Sequence, residues 1–125
     1  MATILIVDDE KPVRQFLVAA LEQDGYDVLE AAHGGHALSL IGNGSIRPDL
    51  VISDVMMPMV SGLELCRTLK SNPYTATIPV VLMSAAHPRA STGAGADAII
   101  GKPFDLDSLT ALVHRLLLAA RTGTA

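Results

Sequence analysis

At four places in the sequence, one or two polar or charged residues follow a short apolar stretch. Asp8 and Asp9 follow Ile-Leu-Ile-Val, Asp54 follows Leu-Val-Ile-Ser, Ser84 follows Val-Val-Leu-Met, and Lys102 comes soon after Ala-Ile-Ile. Carboxylates that converge on one point repel each other, and at ~4 Å each pair costs about 4 kcal/mol with an effective dielectric constant of about 20. A positive group must offset this repulsion, and either Lys102 or a hard divalent cation could do so.

Carboxylates, backbone carbonyls and water are the ligands that magnesium prefers in proteins. The sequence therefore predicts a magnesium site made by Asp9 and Asp54, with Asp8 in a supporting position. Such a cation keeps coordination positions for phosphate oxygens, so Asp54 could act as a nucleophile towards a phosphoryl group. Lys102 and the metal would stabilise the charge on the transferred group, and the Ser84 hydroxyl would donate a hydrogen bond to it.

The elements that must position these side chains follow from the hydrophobic periodicity. Stretches of strand length, rich in β-branched residues, alternate with stretches whose apolar positions recur every three or four residues. The predicted strands are 4–7, 27–31, 50–53, 79–83 and 98–100. Helices are predicted at 12–23 with Phe16 on the buried face, at 36–41, after Ser61, and after Asp105 as an N-cap. This alternation predicts an α/β fold with a doubly wound five-stranded parallel sheet, whose ligands lie beyond the carboxyl ends of the strands.

Length and composition limit the possible functions. The 125 residues predict one domain, which we place at 1–120, with 121–125 as a C-terminal tail or the start of a linker. The net charge of −4 argues against nucleic-acid binding, and no apolar run is long enough for a membrane span. A single cysteine fits a reducing compartment, and the N-terminus carries no secretory signal, so we expect a cytoplasmic protein.

Four motifs together resemble a known family. They are Asp8-Asp9, Asp54-Val55-Met56-Met57-Pro58 with Gly62, Ser84-Ala85, and Lys102-Pro103-Phe104. In this order, at the ends of successive strands, they resemble the receiver domain of two-component response regulators, in the CheY-like superfamily. The resemblance covers residue 4 to about 117 and implies a flavodoxin-like sheet with strand order 2-1-3-4-5.

The resemblance also implies a role for each site residue. Asp54 would be the phospho-acceptor, and Asp9 and Asp54 would bind magnesium directly, with Asp8 through water and the backbone carbonyl of Met56 as a further ligand. Ser84 would move towards the phosphoryl group as the first step of a switch, and Lys102 would contact that group. The Lys102-Pro103 peptide bond is expected to be cis.

The implied function is a phosphorylation-dependent signalling switch rather than an enzyme, with magnesium-dependent self-phosphorylation and self-dephosphorylation as its only reactions. The phosphoryl donor would be a histidine kinase, a histidine phosphotransfer protein or a small acyl phosphate. A downstream protein target or a homodimer would receive the signal, without nucleic acid or membrane bound by this domain.

Two features depart from the family pattern. Ile99 occupies the switch position where the family usually has Tyr or Phe, so the usual inward swing of an aromatic ring is in doubt. The spacing of 18 residues from Ser84 to Lys102 is about one helical turn short. We therefore expect the fourth helix, between the fourth and fifth strands, to be short or disordered.

Alternatives remain open at this point. The domain could be a receiver-like protein-interaction module that no longer switches. Asp8 and Asp9 could complement the dipole of the first helix, Lys102 could be a solvated surface residue, and Ser84 could satisfy a backbone group. A flavin carrier is disfavoured because the acids after the first strand would repel its phosphate. A dehalogenase-type phosphatase needs an acid two residues after the nucleophile, where this chain has Met56.

Overall fold

The computed structural model describes residues 2–85 and 95–121. This part of the chain contains five strands and four helices, and a described helix follows each strand except the fourth. They are β1 (Thr3–Val7), α1 (Lys11–Gln23), β2 (Asp27–Ala31), α2 (Gly34–Gly42), β3 (Leu50–Asp54), α3 (Gly62–Ser71), β4 (Val80–Ser84), β5 (Ala98–Gly101) and α4 (Leu106–Arg121). The bounds agree with the predicted elements to within about two residues.

All strand pairs are parallel, and the sheet has the order β2-β1-β3-β4-β5. This confirms the predicted doubly wound α/β architecture and its strand order. Alternate residues of β1 pack into two different hydrophobic clusters, because successive side chains of a strand point to opposite faces of the sheet. Leu5 and Val7 pack with the buried residues of α2 and α3, whereas Ile4 and Ile6 pack with those of α1 and α4.

Local sequence signals explain two helix starts. The Ser61 hydroxyl accepts a hydrogen bond from the Glu64 backbone N–H at 3.2 Å, and an Asp105 carboxylate oxygen accepts one from the Ser108 N–H at 2.7 Å. Both side chains satisfy N–H groups that have no partner within the helix. These contacts confirm the two predicted N-caps.

The prediction for α1 is wrong at Phe16, whose side chain is 59% exposed rather than buried. Leu17, Ala20 and Leu21 are the buried residues of this helix. The strip of α1 that meets the sheet is narrower than the apolar pattern suggests, and Phe16 lies to one side of it.

Two predictions fall on residues that the structure does not describe. The expected short or disordered fourth helix falls on 86–94, and the expected tail falls largely on 122–125, so both stay predictions. Within 2–85 and 95–121, no helix is both long enough and apolar enough to cross a membrane.

Candidate functional site

Asp54 lies at the carboxyl end of the central strand β3 and is 5% exposed. Lys102 directly follows the edge strand β5, and its Nζ atom lies 3.2 Å from Asp54 Oδ1. The same ammonium group lies 4.0 Å from Oδ2 of Asp8, which follows β1. The Lys102 side chain is only 22% exposed. The structure therefore brings three of the predicted site residues together and excludes a freely solvated Lys102.

Asp8 is fully buried, and its two carboxylate oxygens have different environments. Oδ1 accepts a hydrogen bond from the Glu10 backbone N–H at 2.9 Å, whereas Oδ2 has no hydrogen-bond partner in the described part of the chain. Burial raises the pKa of Asp8, the Glu10 N–H opposes this shift, and the nearby charge of Asp54 adds to it. The carboxylate therefore has an oxygen available for a ligand.

One oxygen from each of Asp8, Glu10 and Asp54 lies within 4.8 Å of the others, a spacing that suits a bound cation. Asp9 is exposed and does not belong to this group. The sequence pattern did not identify Glu10, although this residue directly follows the two predicted acids. The backbone turn after β1 brings Glu10 to the same point, and hydrophobic periodicity cannot reveal such a turn.

Ser84 ends β4 and is 1% exposed, directly beside the position of Lys102. Its backbone carbonyl accepts a hydrogen bond from the Lys102 N–H at 2.8 Å. The Lys102–Pro103 peptide bond is cis, the geometry that the family resemblance implied. Ile99 is half-buried on β5, where its register partner on β4 is Leu82, and it packs against the core on the α2 and α3 side.

The loop after Asp54 places its main chain close to α3. A Cβ atom at Gly62 would overlap the Asp54 carbonyl oxygen, so this close approach requires glycine. Met56 and Met59 are 71% and 97% exposed, and Met59 has a positive φ of 68°. The two methionine side chains of this loop are thus exposed, whereas Asp54 itself is buried.

The donor set suits a small divalent cation. In residues 2–85 and 95–121, three carboxylates converge, one of their oxygens is buried without a hydrogen bond, and the Lys102 ammonium group offsets part of the charge. Magnesium coordinates carboxylate oxygen and usually retains several waters, so this set of carboxylates fits it. The arrangement can also hold an anionic group that approaches Asp54 next to Lys102.

Comparison with known proteins places this site in a family context. Residues 4–114 match the model of the response regulator receiver domain. The phosphate regulon transcriptional regulatory protein PhoB of Pseudomonas aeruginosa is 40% identical over 125 residues, which cover 97% of this chain and 53% of that protein. The chain thus spans about half the length of this relative.

Solved structures agree with this match. The signal receiver domain of a signal transduction histidine kinase from Syntrophus aciditrophicus superimposes with a TM-score of 0.89 at 39% identity, covering 95% of this chain and 92% of that one. Response regulator TrrA from Thermotoga maritima, in complex with Mg²⁺-BeF, gives a TM-score of 0.82 at 35% identity, covering 93% of this chain and 99% of that one.

Proposed function

The chain belongs to the family of response regulator receiver domains, and we propose that its Asp54 accepts a phosphoryl group in a magnesium-dependent reaction. The observation that carries this proposal is the 3.2 Å contact between Asp54 Oδ1 and Lys102 Nζ beside the buried carboxylate of Asp8. A nucleophilic carboxylate, a cation and further acids for a metal ion are the groups that phosphoryl transfer to an aspartate needs.

The proposed magnesium ligands are Asp9 and Asp54 directly, Asp8 through water, and the backbone carbonyl of Met56. For this role the exposed Asp9 side chain has to turn towards Asp54. Glu10 supplies a further acidic group at the same point. When bound, the cation supplies charge neutralisation for the phosphoryl oxygens.

In the proposed reaction, a carboxylate oxygen of Asp54 attacks the phosphorus of phosphohistidine. A P–O bond forms, the P–N bond breaks, and the imidazole leaves with the electron pair and takes up a proton. Lys102 holds the negative charge of the transferred group, and the Ser84 hydroxyl donates a hydrogen bond to one of its oxygens. In the proposed hydrolysis, water attacks the phosphorus of the acyl phosphate, the P–O bond to Asp54 breaks, and inorganic phosphate leaves while the Asp54 carboxylate is restored.

The proposed donors are a histidine kinase or a histidine phosphotransfer protein, and small acyl phosphates would substitute for them in vitro. The product would signal to a downstream protein target or a second copy of the chain. Phosphorylation replaces the single negative charge of the Asp54 carboxylate with about two on the phosphoryl group, so Ser84 and Lys102 reorient towards the new group. Because Ile99 carries no aromatic ring, we infer that it responds by repacking against the core next to Leu82.

Labelling by acetyl phosphate tests the proposal. With Mg²⁺, intact-mass spectrometry should detect one added phosphoryl group on the parent protein and on the control Asp107→Asn, which removes an exposed acid of α4. The Asp54→Asn variant, or the parent in excess chelator, should show none. A parent protein that stays unlabelled while it is folded would reject the proposal and favour the non-switching interaction module.

A further inference from the structure

Arg14 connects three elements at the edge of the sheet that carries the acids. It lies on α1, and its side chain is 13% exposed. Its Nε atom donates to Glu30 Oε1 on β2 at 2.8 Å, and its Nη1 atom donates to the backbone carbonyl of Asp8 at 2.7 Å. One planar guanidinium group therefore fixes both the acidic loop and the neighbouring strand relative to the first helix.

Three polar atoms of Asp8 take part in hydrogen bonds, whereas its Oδ2 atom has no partner in the described ranges. Its N–H donates to the Ala31 carbonyl at 3.2 Å, its carbonyl accepts from Arg14, and its Oδ1 accepts from the Glu10 N–H. With its main chain fixed on both sides, the carboxylate has little freedom to rotate away. The Oδ2 atom is thereby kept 4.0 Å from the Lys102 ammonium group.

The role of Arg14 is geometric rather than electrostatic. The Glu30 carboxylate at 2.8 Å neutralises the guanidinium charge. Among the described residues, the cation near the Asp8 carboxylate is Lys102, whose ammonium group lies 4.0 Å from Oδ2. The contribution of Arg14 therefore lies in its hydrogen bond to the main chain, whose loss would leave the Asp8 carbonyl without a partner in a partly buried place.

We propose that Arg14 is a positioning residue for the phosphorylation site, and that Glu30 orients it. Arg14 holds the Asp8 main chain so that the carboxylate of Asp8 faces Asp54 and Lys102. One consequence of this role, weaker Mg²⁺ binding when Arg14 is replaced, rests on the proposed function. The hydrogen bonds on which it depends are present in the protein alone and can be measured there.

The first measurement uses the metal-free protein. Amide hydrogen exchange of Asp8 and Glu10 should be about tenfold faster in Arg14→Gln than in the parent, because each N–H depends on the position of the Asp8 residue. Exchange in the middle of β4 should not change. Arg67→Gln, which removes the same charge from an exposed position on α3, should leave all of these rates at the parent value.

The second measurement is the apparent dissociation constant for Mg²⁺, followed through amide chemical shifts. We expect Arg14→Gln to bind Mg²⁺ about tenfold more weakly, as is usual when a residue that orients a metal ligand is removed. Glu30→Gln keeps Arg14 and should weaken binding in the same direction by a smaller factor. It also serves as the test if Arg14→Gln does not fold.

The outcomes separate this inference from the proposed function. If exchange at Asp8 and Glu10 and the affinity for Mg²⁺ are unchanged in Arg14→Gln and Glu30→Gln, Arg14 is not a positioning residue. If the parent shows no Mg²⁺-dependent shifts, the proposed magnesium-dependent function fails, and the exchange rates alone decide whether Arg14 holds Asp8. Faster amide exchange together with weaker Mg²⁺ binding in Arg14→Gln supports both the positioning role of Arg14 and the proposed function.

Discussion

The Lys102 ammonium group lies 3.2 Å from the Asp54 carboxylate, and the two residues stand at the ends of strands separated by β4. This contact offsets the repulsion among the buried acids. We expect Lys102→Gln to lower the free energy of unfolding at neutral pH by about 1–3 kcal/mol in metal-free buffer, since partly buried acids lose their cation. Urea denaturation measures the loss.

The matched control for this change is Lys11→Gln, which removes a lysine from the exposed start of α1. It should alter the unfolding free energy much less. The loss in Lys102→Gln should shrink at low pH, where carboxylates are protonated. Equal urea midpoints for Lys102→Gln and Lys11→Gln at neutral pH would contradict the stabilising role.

The pH dependence of stability should report on Asp8. Burial raises the pKa of Asp8 above its ordinary value of 3.8, so the folded protein retains this proton where the unfolded chain has lost it. The resulting stabilisation is fully present below 3.8 and is lost as the pH rises through the folded-state pKa. The Asp8→Asn side chain stays uncharged at every pH. In metal-free buffer, this variant should therefore gain stability relative to the parent as the pH rises from 3.8 through the folded-state pKa of Asp8.

Asp105 provides a control of opposite sign. Hydrogen bonds from the Ser108 N–H and hydroxyl lower the pKa of Asp105 below 3.8, so its stabilisation is present above 3.8 and is lost as the pH falls through the folded-state pKa. Asp105→Asn should thus lose stability relative to the parent as the pH rises. The two variants are compared by denaturation across acidic pH, and parallel curves for them would refute the assignment for Asp8.

The close approach at Gly62 should make that position intolerant of any side chain. A Cβ atom there meets main-chain atoms of Asp54 and Val55, which cannot move without displacing the site. We expect Gly62→Ala to cost about 3 kcal/mol of stability and to slow labelling by acetyl phosphate. Gly42→Ala, in open space at the end of α2, should instead gain up to about 1 kcal/mol. Equal thermal midpoints for the two variants would disprove the steric argument.

The backbone at Met59 should favour glycine. Its φ of 68° lies in the left-handed region, and its side chain, 97% exposed, has little packing to lose. We expect Met59→Gly to gain about 0.5 kcal/mol, because relief of the left-handed strain exceeds the entropy that glycine adds to the unfolded chain. Met56→Gly has no such strain to relieve and should lose stability. Urea midpoints measure the stability of the two variants. A loss of stability in both Met59→Gly and Met56→Gly would show that the positive φ at Met59 does not destabilise the protein.

The order of apolar stretches already predicted which residues would meet. Parallel strands end at the same edge of their sheet, so polar residues directly after Val7, Ser53 and Met83 must lie on one rim. For this reason the contacts of Asp54 with Lys102 and of Lys102 with Asp8 follow the prediction. The bounds of the strands could also be predicted from the sequence, because buried strands are short stretches rich in β-branched apolar residues.

Contacts that depend on how neighbouring helices and strands pack together could not be predicted from the sequence. The helical periodicity of α1 placed Phe16 on its buried face, but packing against the sheet left it 59% exposed. Glu10 enters the acidic group through the turn after β1, and Arg14 reaches Glu30 only because β2 lies beside β1.

The amino-acid sequence by itself determined the elements and the rim residues, since local periodicity and strand direction are encoded along the chain. Only the tertiary structure decided which side chains surround Asp8 and which of its oxygens has no hydrogen-bond partner among the residues that the structure describes. Those facts depend on distances between separate elements, which packing sets and no local pattern contains.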